Sequence, residues 1–155
     1  MGITLGKLIY NFLDSNFTLR VKLLDHHARP PVKADVGAAG YDLFASSNTV
    51  LTPGQRKLVT TGISVEVPRW YYLRVAPRSG LSLLGIDIGA GVIDSSYRGE
   101  IKVLVVNNSL SEYRINIGDK IAQMVMERCS NANVEVVENL SLTERQFGGF
   151  GSTGF

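Results

Sequence analysis

Asp94 is the side chain in this sequence best placed to act as a base. It sits inside Gly91-Val92-Ile93-Asp94-Ser95-Ser96-Tyr97-Arg98-Gly99-Glu100, between a stretch with few charges, 81–91, and the apolar run Ile101-Lys102-Val103-Leu104-Val105-Val106. An Asp where the chain turns between two apolar segments either bonds its own backbone or orients a water as a general base. Tyr97, three residues on, either fences a sugar or a base or fills a half-buried place in a sheet. A narrow hairpin with open backbone groups also suits the edge of a nucleobase, which it would read by paired donor and acceptor bonds as a neighbouring strand would.

A second constellation is Pro77-Arg78-Ser79-Gly80-Leu81-Ser82. A cation, a hydroxyl and an accessible backbone at an expected helix start together suit a phosphate group. The plainer alternative is a loop with a capping serine and a surface arginine. Asp42 and Glu100 are further carboxylates near polar loops, each able to hold a magnesium-bound water or to balance a cation. Gln123 lies in a mostly apolar strand, where its amide must satisfy backbone groups or donate to a phosphate. His26-His27 has no third histidine or cysteine cluster beside it, which argues against zinc. Ser79 has no histidine at a recognisable spacing, which argues against a Ser-His-Asp triad.

The last stretch differs in kind. Residues 148–154, Gly148-Gly149-Phe150-Gly151-Ser152-Thr153-Gly154, hold four glycines in seven positions, with Arg145 just upstream. Such a segment cannot pack a core or keep one conformation alone. Its glycine amides, its hydroxyls and the arginine can wrap phosphate oxygens, so a lid that orders on binding is expected in preference to an idle tail.

The elements that must position these groups are short strands. Residues 17–24 alternate, with Leu19, Val21 and Leu23 on one side. Pro30-Pro31 stops regular structure. Tyr41-Asp42-Leu43-Phe44-Ala45 is a strand, and Pro53-Gly54 marks a turn. Residues 57–67 form a strand pair broken at Gly62, and 70–76 alternate again. A short helix is expected from about Ser79, capped by Ser79 or Ser82 and stopped by Gly85. Further strands are expected at 86–92, 101–106, 113–117, 120–127 and 134–137, and residues 88–100 are expected to form a hairpin. About ten strands with one short helix predict an all-β, jelly-roll-like sandwich or barrel.

Composition sets the frame. The 155 residues suffice for one domain with a real core. A net charge of +2 argues against binding long nucleic acid. The single cysteine, Cys129, rules out an internal disulfide and a multi-thiolate metal site, is most simply a small buried apolar residue, and fits a reducing compartment. No run approaches the roughly 18 apolar residues of a membrane span. The mildly apolar start lacks a small-residue cleavage pattern and does not read as a signal peptide.

Five patterns in order resemble the homotrimeric dUTP pyrophosphatases (dUTPases). They are Ala39-Gly40-Tyr41-Asp42-Leu43, then 77–82, then 91–100, then Gly118-Asp119-Lys120-Ile121-Ala122-Gln123, and finally Arg145 with 148–154. The resemblance covers residues from about 18 to the end and leaves 1–17 outside. It divides the chain into an N-terminal extension, 1–17, a β core, 18–141, and a glycine-rich C-terminal arm, 142–155.

The resemblance implies hydrolysis of dUTP to dUMP and pyrophosphate, which limits uracil in DNA and supplies dUMP for thymidylate synthesis. It makes Asp94 the base that activates the water attacking the α-phosphorus. Tyr97 would lie against the deoxyribose and exclude a 2′-hydroxyl. The hairpin around 88–100, with Gly91, Val92 and Ile93, would bond uracil and leave no room for a thymine methyl. Arg78, Ser79, Gly80 and Gln123 would contact phosphates, with Asp42 in support. Arg145, Gly151, Ser152 and Thr153 would clamp the outer phosphates, and Phe150 would cover the uracil. Mg2+ would be held mainly by the triphosphate and its waters, with Asp42 at most one water removed. A homotrimer would share its sites between subunits, in a soluble cytoplasmic or nuclear enzyme that binds neither long nucleic acid nor membrane.

Two departures stand out: Ser96 replaces the family's usual aspartate, and Gln146-Phe147 follows Arg145 where glycine is usual. The related dCTP deaminase group shares the architecture but lacks this tail. A β-sandwich capsid or carbohydrate-binding module fits the strands but not the order of the polar motifs.

Overall fold

The computed structural model describes residues 18–144 and 148. Among these the chain forms twelve strands and one short helix, and every strand pairing is antiparallel. Four sheets result. β1 (Arg20–Leu23) pairs with β6 (Ile63–Glu66), and β4 (Thr49–Leu51) pairs with β11 (Tyr113–Ile115). β10 (Lys102–Asn107) lies between β5 (Arg56–Thr60) and β8 (Ile86–Gly89). The largest sheet runs β2 (Val32–Lys33), β3 (Gly40–Phe44), β12 (Lys120–Arg128), β7 (Tyr71–Ala76), β9 (Val92–Ile93). Helix α1 spans Ser79–Leu83. The fold is the expected jelly-roll-like β architecture.

One core joins all four sheets. Leu43, Leu73, Val75 and Met124 come from the five-stranded sheet, and Val59, Val103, Val105 and Ile86 from the three-stranded one. Ile63 and Val65 lie on β6, and Leu51 and Ile115 on the β4–β11 pair. The alternation that predicted strands is the alternation of burial: in β10, Val103, Val105 and Asn107 point inward while Lys102 points outward. Asn107 is fully buried yet satisfied. Its Nδ2 donates to the carbonyls of Leu51 and Ser111, and its Oδ1 accepts from the Ser109 amide and hydroxyl. It thereby ties the end of β4 and the turn after β10 into the core.

Five expectations need correction. Leu23 is half exposed and outside the core cluster, whereas Leu19 and Val21 pack against it. The N-cap of α1 is Arg78, with extended backbone (φ −88°, ψ 138°) and no side-chain cap bond, so neither Ser79 nor Ser82 caps it. Residues 134–137 are not a strand: the chain from 129 to 143 is irregular, and Val134 and Val136 are almost wholly exposed. Alternation makes a segment fit to be a strand, but a strand also needs a ladder partner. Cys129 is only partly buried. Finally, 88–100 is not a hairpin of paired strands. β8 pairs with β10 while β9 pairs with β7, so the chain crosses from one sheet to another at Ala90-Gly91.

That crossing explains its residues. Ala90 has φ +57° and Gly91 φ +111°, two consecutive left-handed positions. A Cβ on Gly91 would stand 2.4 Å from the Val75 carbonyl oxygen. Only glycine therefore lets this segment lie against β7, where the Val75 amide donates to the Gly91 carbonyl at 2.8 Å.

Candidate active site

The five-stranded sheet has one face on the core and one face outward. On β12, Gln123 is opposite Asp42 of β3 and Ala76 of β7, Val125 is opposite Gly40 and Arg74, and Arg74 is opposite Val92 of β9. Residues opposite one another share a face. Asp42, Gln123, Arg74 and Val92 therefore lie outward, while Leu43, Ala122, Met124, Leu73 and Ile93 line or pack on the core. Period-two alternation places motif residues from distant parts of the sequence on a single surface.

Two groups of side chains stand on or beside it. The first centres on Asp42, whose carboxylate is about nine-tenths buried. Arg78 donates from Nε to Asp42 Oδ1 at 3.0 Å. Lys120 Nζ stands 2.7 Å from Asp42 Oδ2, an ion pair without hydrogen-bond alignment, so that oxygen is charge-compensated but accepts no hydrogen bond. The terminal guanidinium nitrogens of Arg78 have no partner among the described residues. Gln123 donates from Nε2 to the Pro77 carbonyl at 2.9 Å, steadying the residue before Arg78. Gly40 makes this possible, because a Cβ there would meet Gln123 Oε1 at 2.5 Å. The amide thus satisfies a backbone group, and its second N–H remains for a ligand.

Ser79 and Gly80 begin α1, exposed, with first-turn amides that have no intrahelical partner. Tyr113 stands within electrostatic reach of this group. Burial pushes its phenol pKa up, Asp119 adds to the rise, and Arg78 opposes it.

The second group follows β9. A pocket of about 350 Å³ is lined by Leu58, Val92, Ile93, Asp94, Tyr97, Glu100 and Lys102. Its size falls within the usual range for small-molecule sites, roughly 300–1,000 Å³. Among the described residues the exposed Asp94 carboxylate accepts no hydrogen bond and forms no ion pair. The turn is closed instead by the backbone, Tyr97 N–H to Asp94 C=O at 3.0 Å. Tyr97 lies in this loop rather than in a sheet, 44% exposed, and its hydroxyl donates to the Glu100 carbonyl at 3.0 Å. Arg98 holds the same loop through Nη1, which donates to the Ser95 and Tyr97 carbonyls. The Glu100 carboxylate is committed elsewhere: it accepts from the Gly62 amide at 3.0 Å and pairs with Lys102 at 3.8 Å.

The structure therefore brings Asp42, Arg78 and Gln123 together, and Gly91, Val92, Ile93, Asp94 and Tyr97 together. Among the described residues no side-chain hydrogen bond or ion pair joins the two groups. Arg145, Phe150, Gly151, Ser152 and Thr153 lie outside the described residues, as does the extension, 1–17. Lys120, within the motif 118–123, joins the first group through Asp42. Its signal was available in the parity of β12, since Ile121 cannot share a face with both Met124 and Gln123.

Further along β12, Glu127 accepts from the Tyr72 hydroxyl in a short contact and from Arg74 Nε at 2.6 Å. The Tyr72 bond and then the Arg74 bond lower the Glu127 carboxyl pKa, and the bond to Glu127, with burial, pushes the Tyr72 phenol up while Arg74 opposes the rise. No group of three His, Cys, Asp or Glu residues gathers to hold a metal among the described residues.

Comparison with known proteins places these groups in context. A model of the dUTPase family matches residues 26–154. A deoxyuridine 5'-triphosphate nucleotidohydrolase of cowpox virus is 44% identical over 142 residues, covering 92% of this chain and 97% of that protein. One from Yarrowia lipolytica is 46% identical over 140 residues, covering 88% and 89%. Among solved structures, the Staphylococcus bacteriophage 80alpha dUTPase with dUPNHPP superposes with a TM-score of 0.86 at 30% identity, covering 90% of this chain and all of that one. A dUTPase from phage phi11 of S. aureus, described with a structural Mg(II) ion, gives 0.77 at 28% identity, covering 81% of this chain and all of that one.

Proposed function

The chain belongs to the dUTPase family, and from that premise we propose that it hydrolyses dUTP to dUMP and pyrophosphate by direct in-line attack of water on the α-phosphorus. The observation that carries the reading is the outward face of the five-stranded sheet. Around it stand an arginine anchored just beyond the end of β7, its terminal nitrogens free among the described residues, and, after β9, a carboxylate with no partner among them.

Asp94 takes the proton of the attacking water. Its carboxylate has no competing partner among the described residues, so its lone pairs are free to orient a water. Arg78 binds phosphate through its unspent nitrogens, as charge-assisted bonds from a planar fork. Ser79 and Gly80 supply a hydroxyl and amides at the start of α1. Gln123 holds the loop through Pro77 and offers its second N–H. Tyr97, its hydroxyl tied to Glu100, holds its ring edge where a deoxyribose would lie and a 2′-hydroxyl would collide. The Gly91-Val92-Ile93 backbone reads uracil. From the arm, Arg145, Gly151, Ser152 and Thr153 close on the outer phosphates and Phe150 covers the base, excluding water.

Magnesium fits this donor set as an ion carried on the substrate. The Asp42 carboxylate is buried and its charge is already matched by Arg78 and Lys120, so it supports the phosphate site through those cations and does not ligate the ion directly. The bound ion would neutralise and polarise the triphosphate oxygens. We place the sites between subunits of a homotrimer: in the β7–β9 register Arg78 follows the end of β7 while Asp94 lies toward its start, so a neighbouring copy can bring the two groups together. We divide the chain into the extension 1–17, the core 18–141 and the arm 142–155.

No helix among the described residues is long and apolar enough to cross a membrane. We assign the enzyme to the cytoplasm or nucleus, where clearing dUTP limits uracil in DNA and the dUMP formed feeds thymidylate synthesis.

The test is pyrophosphate release from dUTP, dTTP, dCTP and UTP, with and without magnesium. Release from dUTP alone, dependent on the ion, is expected. Equal release from UTP would remove the role of Tyr97, and equal release from dTTP would remove that of the 91–93 backbone.

A further inference from the structure

We propose that Lys120 is a positioning residue for the reaction: it occupies the second oxygen of Asp42 and so keeps Arg78 bound through Nε alone, with both terminal nitrogens free for the phosphate chain. This inference rests on the assignment of Arg78 to phosphate binding.

The first observation is the register of β12. Lys120 is opposite Phe44 and Ala122 is opposite Leu43, so Ile121 is an extra residue without a counterpart on β3. Ile121 and Ala122 are both buried, at 1% and 0% exposure. Counting back from Gln123 in a regular strand, Ile121 would point outward and Lys120 into the core. The bulge turns two successive side chains inward and returns Lys120 to the outward face, three residues from Gln123. Bulges recur beside active sites, where they re-aim a side chain. This one aims an ammonium at Asp42.

The second observation is how Asp42 divides its two oxygens. A carboxylate and a guanidinium ordinarily engage as a fork, two parallel bonds in one plane. Here Arg78 makes one, from Nε to Oδ1, because Lys120 Nζ holds Oδ2 at 2.7 Å. With Lys120 neutral or absent, Oδ2 would be a buried, uncompensated oxygen beside a guanidinium that can rotate to meet it. The fork would close, and one terminal nitrogen would turn from the phosphate to Asp42. Lysine suits the place because its ammonium is a compact point charge that compensates one oxygen without competing for the plane.

The consequence is a defect confined to the phosphate end. Lys120→Met should weaken binding of the non-hydrolysable imido analogue of dUTP roughly tenfold or more, the worth of a charged hydrogen bond. Competitive inhibition by deoxyuridine, which has no phosphate, should be unchanged. Lys120→Arg should restore most of the loss. The decisive arm is the Arg78→Lys background, where no fork can form: there Lys120→Met should add less than about twofold. Should Lys120→Met not fold, Lys120→Ala, which likewise leaves Asp42 Oδ2 uncompensated, is read in the same way. A full-sized loss in the Arg78→Lys background, equal weakening of deoxyuridine, or no loss at all would overturn the proposal. If the wild-type chain released no pyrophosphate from dUTP, the assignment beneath it would fail instead.

Discussion

Gly91→Ala is the substitution for which the structure gives the clearest arithmetic, because Gly54→Ala supplies its control. Both glycines have positive φ, +74° at Gly54 and +111° at Gly91. Around Gly54 a new Cβ meets nothing within 4 Å, so the change costs only the left-handed strain of an L-residue, about 1–2 kcal/mol. At Gly91 the same strain is joined by a Cβ placed 2.4 Å from the Val75 carbonyl oxygen, a backbone atom that cannot swing aside. Relief requires β9 to lift from β7, which breaks the Val75–Gly91 bond and leaves buried backbone groups unpaired, about 1–3 kcal/mol more. Gly91→Ala should therefore cost about 2–5 kcal/mol, a large share of a typical stability of about 5–15 kcal/mol. Equilibrium urea unfolding of both variants measures the difference. Pyrophosphate release adds a second reading: moving β9 moves Asp94, so Gly91→Ala should lose activity at temperatures where it is still folded, and Gly54→Ala should not. Equal destabilisation of the two variants, or full activity in folded Gly91→Ala, would refute the claim that close approach to Val75 positions the base.

Other outcomes follow from the same geometry. Asp94→Asn keeps shape and removes basicity. Turnover should fall by about two to four orders of magnitude while the imido analogue binds within a few-fold of wild type; parallel loss of binding in calorimetry would sink the general-base role. Asn107→Ala removes a fully buried amide with four hydrogen bonds and should cost about 2–4 kcal/mol in urea unfolding, so a cost under about 1 kcal/mol would contradict the census of its partners. Glu127 has a depressed folded-state pKa, chiefly from the Tyr72 hydroxyl and then Arg74. Its contribution to stability is therefore complete above the ordinary carboxylate range and lost as pH falls through the folded value. The melting-temperature gap between wild type and Glu127→Gln should be widest near neutrality and close in acid, and a gap independent of pH would contradict it.

Much of this was legible because burial follows alternation. Strands expected at 41–45, 70–76 and 101–106 form at Gly40–Phe44, Tyr71–Ala76 and Lys102–Asn107, the second of them readable from period two, whereas the outward places of Asp42 and Gln123 follow only from the register. What could not be read was anything that depends on a partner. Residues 134–137 alternate as well as any strand, but alternation does not say which edge will receive them. Residues 88–100 looked like a hairpin because two apolar runs flank a turn. The choice of β9 for β7, rather than β8, depends on the close approach of Gly91 to Val75. The role of Lys120 was hidden by the bulge, which reverses its side relative to a regular strand. The mixed parity of Ile121, Met124 and Met126 was the trace of that irregularity.

The bulge also limits how the chain can change in length. Deleting Ile121 would remove the bulge and leave a regular strand with Lys120 still outward beside Asp42, but it would take a buried isoleucine from the core. Inserting a residue further along β12 would turn Gln123 inward and set Ala122 outward. Because the chemistry and the hydrophobic core are printed on opposite sides of the same backbone, an indel beyond the bulge in β3 or β12 damages both at once. Length variation is left to exposed segments outside the sheets, such as 132–142. An alignment-free search for deletions tolerated in a selection for growth should find them there, and find none between 120 and 128.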